Sequence, residues 1–189
     1  MPYEVIHIRD SDKILAQNGL KQDVLYTLAY LEQCLHGTLY KRELTCQVLD
    51  EMGWREGNLQ IIKGRRYQYK GFKKQVAIEG NFAAYEYVLE GLFRLQVGYD
   101  QGRIATGVLL LNGQRSEKSP LGSSSELIVS EIKMLYPTIS MPVTLALFDL
   151  GVPFIPADDN RKDDEVTDGP SVLAKTQDDY WQEGDDPWP

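Results

Sequence analysis

Between Leu20 and His36 the apolar residues Leu20, Val24, Leu25, Leu28, Leu31 and Leu35 recur three or four positions apart. That interval lays side chains along one face of a helix, and Gly37 stands where a helix commonly ends. A second helix is predicted from about Tyr40 to Met52, with Leu44, Val48, Leu49 and Met52 on its buried stripe and Gly53 beyond. The two read as a helical hairpin. Ahead of them, Tyr3 to Ile8 reads as a short strand that Arg9-Asp10-Ser11-Asp12 breaks.

The pattern then turns to short β-type runs. Leu59–Ile62 and Tyr67–Tyr69 read as a hairpin around Lys63-Gly64-Arg65-Arg66, Gly71 as a break, and Gln75–Glu79 as a short buried strand. Phe82 to Val97 carries Tyr85, Leu89, Leu92 and Phe93 at helical spacing. Ile104 to Leu111 is apolar enough for a strand covered on both faces. After the polar stretch Gln114–Gly122, Ser123 and Glu126 have capping-box spacing ahead of a helix through Leu135. Met141 to Leu150 gives the last strand, and there is no internal repeat. The order predicts an α/β domain over residues 1–156, with a mixed central sheet flanked by helices.

Composition changes the picture mainly through charge. The 189 residues, 42% apolar and 25% charged, suit one globular core. No window approaches the roughly 18 consecutive apolar residues of a membrane span, and the N-terminus lacks a signal-peptide pattern. Cys34 and Cys46 belong to no metal-binding cluster, so a reducing cytoplasm is expected. The net charge of −8 resides wholly in residues 155–189, with 11 acids and 3 bases, while residues 1–154 hold 17 of each. Residues 157–189 therefore read as a disordered acidic tail. Its Trp181 and Trp188 are candidate contacts for a protein partner. Two other roles are open to the tail: covering a basic patch in competition with a polyanion, or simple solubilisation.

Such a patch exists. From Arg55 to Lys74 the basic residues Arg55, Lys63, Arg65, Arg66, Lys70, Lys73 and Lys74 face a single acid, Glu56, and are interleaved with Tyr67, Tyr69 and Phe72. Cations position a phosphate backbone and aromatics stack on bases. Strand alternation would put Arg65, Tyr67 and Tyr69 on one face. The plain alternative is a solvated hairpin.

Glu79 ends the apolar run Val76-Ala77-Ile78-Glu79-Gly80-Asn81. A carboxylate there suits a metal ligand, and equally a helix cap or an ion pair with Lys73. Taken with the helix to Val97, the turn Tyr99–Arg103, Gly107-Val108-Leu109-Leu110-Leu111, Ser130-Glu131-Ile132 and Met141-Pro142-Val143, the segment 59–150 resembles the core of the PD-(D/E)XK nucleases. The likeness is to the BglII/BamHI-type restriction endonucleases in particular. That resemblance implies a restriction-endonuclease-like fold, double-stranded DNA as partner, Mg²⁺ as cofactor if the site is active, and a homodimer. It assigns Glu79 to a metal-binding and catalytic position, and Asn81 to the polar residue that orients the attacking water. The accompanying Asp is expected about nine residues before the Glu, where this chain has Lys70, and no Asp or Glu occurs from Gly57 to Ile78.

A lysine repels a dication and offers it no lone pair. Two readings follow. In one, Lys70 and its neighbours hold a phosphate where the family holds a metal, and the domain binds DNA without cutting it, inside a defence or DNA-processing complex. In the other, Asp50 or Glu51 rebuilds the metal site with Glu79 in an active endonuclease. A third class is a protein-interaction or inhibitor module whose acidic tail mimics DNA. Arg94 and Arg103 read as solvated surface residues with phosphate contact as the alternative, and Gln114 and Arg115 as candidate base readers. His7 and His36 support no catalytic triad.

Overall fold

The most apolar run of the sequence becomes the middle of the sheet. In a computed structural model, which describes residues 3–82, 87–113 and 124–152, ten elements follow in chain order. They are β1 (Tyr3–Ile8), α1 (Ser11–Gln17), α2 (Lys21–Leu35), α3 (Lys41–Glu51), β2 (Gly71–Lys73), β3 (Val76–Gly80), α4 (Tyr87–Asp100), β4 (Thr106–Asn112), α5 (Ser125–Met134) and β5 (Val143–Phe148). The sheet order is β1-β5-β4-β3-β2. Strands β3, β4 and β5 run parallel, and β1 and β2 close the two edges antiparallel. The chain divides into Met1–Ile155 and Pro156–Pro189, and every described residue lies in the first.

Alternation along the strands splits the core into two layers. Val76, Ile78, Val108, Leu110, Ala146 and Phe148 pack with α1, α2, α3 and Trp54 on one face. Ala77, Leu109, Leu111, Val143, Leu145 and Leu147 pack with α4 and α5 on the other. Both faces being covered explains why β4 reads as a continuous apolar run. Trp54 is buried beneath the helical hairpin and donates from Nε1 to Thr27 Oγ1 at 2.8 Å.

Four expectations change. The segment read as a break after β1 starts helix α1; Arg9 and Asp10 take positive φ (55° and 58°) to turn the chain, and Leu15 is buried. A seven-residue helix is too short to show a period. The hairpin at 59–69 reduces to a single bridge, Gln60 to Gln68, with flanking bonds Ile61 N to Tyr67 O and Tyr69 N to Leu59 O, both 2.9 Å. Gly71 is no break. It opens β2, because a Cβ there would stand 3.0 Å from Trp54 Cβ. Helix α5 is capped by Ser124, whose side chain accepts from Leu127 N, and Ser123 lies outside the described residues. No helix among them is long and apolar enough to cross a membrane.

Candidate functional site

Strand β3 sends Val76 and Ile78 into the α2–α3 layer. Two-residue alternation sends Ala77 and Glu79 toward α4. Helix α4 lies low over the strand because of Gly91, where a Cβ would come 2.6 Å from Leu109 Cδ1 and 3.9 Å from Glu79 Cβ. Glu79 is consequently only 2% exposed. Beyond it the chain leaves through Gly80 at φ 147°, where any Cβ would strike the Leu110 carbonyl oxygen at 2.2 Å.

The Glu79 carboxylate has an unusual setting. Its Oε1 has no hydrogen-bond partner. Arg94 Nη1, from the next turn of α4, stands 3.9 Å away, while Arg94 Nη2 donates to Glu90 Oε1. Burial pushes the Glu79 carboxyl up to about 7; the positive charges of Arg94 and Lys70 and the Gly80 N–H work against that rise, and the Glu90 charge adds to it. Lys70 acts from the residue just ahead of β2. The β2–β3 register pairs Lys73 with Val76, Phe72 with Ala77 and Gly71 with Ile78.

Divalent magnesium asks for several hard, mostly anionic oxygens. About Glu79 the described groups are one buried carboxylate, a guanidinium, an ammonium and a second carboxylate, Glu90, already bonded to that guanidinium. Among the described residues no group of three or more His, Cys, Asp or Glu could hold a metal ion. This donor set does not fit Mg²⁺. Glu51 ends α3, which packs in the layer on the opposite face of the sheet from α4. Its oxygens accept from Tyr30 and from Gln47 Nε2 at 2.9 Å, which holds its carboxyl below the usual range. Asp50 accepts from Arg55 Nε at 3.0 Å. Asn81 follows Gly80 outside β3, so strand alternation does not fix its direction.

The basic patch resolves into two kinds of residue. Lys63, Arg65, Arg66 and Lys74 are exposed, with no ion pair among the described residues, and Tyr67 stands out at 58% exposure. Arg55 and Lys73 are held in the fold. Arg55 ties Asp50 to the Lys70 carbonyl, the latter at 2.9 Å. Lys73 pairs with Asp23 at 2.9 Å and lies over the Trp54 ring. Tyr69, expected as a stacking platform for bases, lies in the core. It is 1% exposed, its ring stacks on Phe72, and its hydroxyl fills the space that a Cβ on Gly98 would occupy. Burial pushes that unpartnered hydroxyl up to about 12. Tyr67 and Tyr69 thus do not share a face, because one bridge is too little pairing to impose strand alternation.

Sequence reasoning undervalued two arginines. Arg103 donates from Nη1 to the carbonyls of Gln60 and Ile61 and pins the 59–69 loop. Arg94 is the charge closest to Glu79. The only available signal was its i, i+4 spacing from Glu90. His7 bonds Thr144 Oγ1 at 3.0 Å beside the buried Ser11, which is a polar tie between β1 and β5. Gln114, Arg115, Trp181 and Trp188 lie outside the described residues.

No family model matches the sequence, and no curated protein matches it. Solved structures do. Restriction endonuclease BglII complexed with a DNA 16-mer aligns with a TM-score of 0.60 at 18% identity, over 82% of this chain and 78% of that one. The fold is restriction-endonuclease-like. Free BglII aligns with a TM-score of 0.51 at 17% identity, over 82% of this chain and 81% of that one. Within this restriction-endonuclease-like fold the helical hairpin and the mixed five-stranded sheet account for the N-terminal and central parts.

Proposed function

We propose that this chain binds double-stranded DNA through the sheet edge formed by Lys70 and the Lys63–Lys74 loop, and that it does not cleave what it binds. One observation carries the reading: the buried Glu79 has the positive charges of Arg94, at 3.9 Å, and of Lys70 beside it. Cations thereby occupy the surroundings in which a metal-dependent nuclease would need anionic oxygens. The likeness to BglII, whose solved complex contains DNA, supports a nucleic-acid ligand. So do three exposed cations, Lys63, Arg65 and Arg66, with the exposed Tyr67 on one loop, a combination suited to phosphates with an adjoining base or sugar. Nothing in the described geometry favours an active site with Mg²⁺, since α3 carries Glu51 on the far face.

The test is duplex binding and plasmid nicking by the full chain, with and without Mg²⁺ or Mn²⁺, beside Glu79→Ala. Salt-sensitive binding without nicking is the expected result. Metal-dependent nicking abolished by Glu79→Ala would replace this reading with an endonuclease, and absence of binding at low salt would remove DNA as the ligand.

A further inference from the structure

We propose that Arg94 and Lys70 form a phosphodiester-binding pair at the buried Glu79. The inference rests on the DNA-binding reading above and names the residues that would grip the backbone at its centre.

Three observations converge on it. Glu79 is a buried carboxylate with an oxygen that nothing hydrogen-bonds, so a neighbouring positive charge is required to hold it ionised. Arg94 provides one from 3.9 Å, too far for a hydrogen bond. Its attraction to Glu79 is therefore exerted through the field, and among the described residues Glu90 is its one hydrogen-bond partner. A guanidinium has five N–H donors, of which Arg94 uses those of Nη2 on Glu90, while its side chain remains 32% exposed. Lys70, half-buried just ahead of β2, places a second positive charge near Glu79. The pair thus acts on one carboxylate from a helix and from the segment leading into an edge strand.

A bridging metal would join a protein carboxylate to a phosphate oxygen. A guanidinium can do the same with a fork of N–H groups, and it matches phosphate geometry well. Gly91 makes this possible, because only without a Cβ does α4 come close enough to set Arg94 beside β3. The phosphodiester would add its charge beside Glu79 and Glu90. Lys70 and Arg94 supply the two positive charges that face it, with Tyr69 uncharged beneath.

The experiment measures binding of a fluorescein-labelled duplex by anisotropy at several salt concentrations, using full-length wild type, Arg94→Gln, Lys70→Gln, Arg94→Gln/Glu79→Gln and, as a control, Lys13→Gln. Each of Arg94→Gln and Lys70→Gln is expected to weaken binding about tenfold and to reduce the salt slope by about one, with Lys13→Gln unchanged. The double variant separates gripping from propping. If Arg94 only neutralises Glu79, removing both charges restores wild-type affinity and salt slope, and the inference falls while DNA binding stands. If Arg94 grips phosphate, the double variant stays weak. Thermal melts of each variant confirm folding, and Arg94→Lys, which keeps the charge without the fork, should recover part of the affinity. Absence of duplex binding by wild type overturns the DNA-binding reading, and this inference with it.

Discussion

Arg94 Nη1 stands 3.9 Å from Glu79 Oε1 without hydrogen-bonding to it. The contact joins a surface helix residue to the one buried acid among the described residues. It also makes Glu79 a liability to the fold, since a buried carboxylate with one oxygen left without a hydrogen bond costs more in the folded chain than in water.

Stability should therefore fall as pH rises from about 4.5 toward neutrality. The Glu79 carboxyl is raised from 4.5 to about 7 on folding, so between those values the folded chain binds a proton more tightly than the unfolded one. The destabilisation is absent below about pH 4.5 and complete above about pH 7. Glu79→Gln is expected to raise unfolding free energy by about 3 kcal/mol at pH 8 and by little near pH 4.5. Urea denaturation at both pH values checks this, and equal effects at the two would contradict it.

Tyr69 has an unpaired hydroxyl in the core. Tyr69→Phe removes a buried donor that gains nothing from the fold, and is expected to be neutral or stabilising by about 1 kcal/mol. Duplex affinity should not change, because the ring is inaccessible. A large loss of affinity would show that Tyr69 reaches the ligand after all.

Replacing the two cations should create what the native chain lacks. In Lys70→Asp/Arg94→Gln a second carboxylate stands near Glu79. Mn²⁺ at about one hundred times its Kd would then stabilise the fold by about 2.7 kcal/mol. Differential scanning calorimetry with and without Mn²⁺ should show a shift in the double variant and none in wild type. An equal shift in wild type would contradict the mismatch between this donor set and a dication.

The acidic segment should weaken association with a polyanion simply by its charge. Residues 157–189 carry 11 acids and 3 bases, and a chain ending at Pro156 is expected to bind duplex roughly tenfold more tightly at low salt. The difference should shrink as salt screens it, since the Debye length falls to about 8 Å at 0.15 M. Equal affinities at low salt would show that the segment has no electrostatic role in binding.

Elements with a long, regular period, and the sign of the charge in each region, can be read from the residues alone. Helices α2 and α3, the doubly covered strand β4 and the strand that ends in Glu79 were all legible, because burial of one face or both imprints a period on neighbouring residues. Tertiary structure decided which residues meet. Glu51 and Glu79 look equally available in the chain, yet they fall on opposite faces of the sheet, since α3 and α4 pack against different layers. Tyr67 and Tyr69 look alike, and only packing against Phe72 and Gly98 buries one of them. Arg94 comes to Glu79 because Gly91 lets a helix settle onto a strand. Local periodicity records how deep a residue lies, whereas the partner it meets there depends on contacts between segments distant in the chain, which no local pattern encodes.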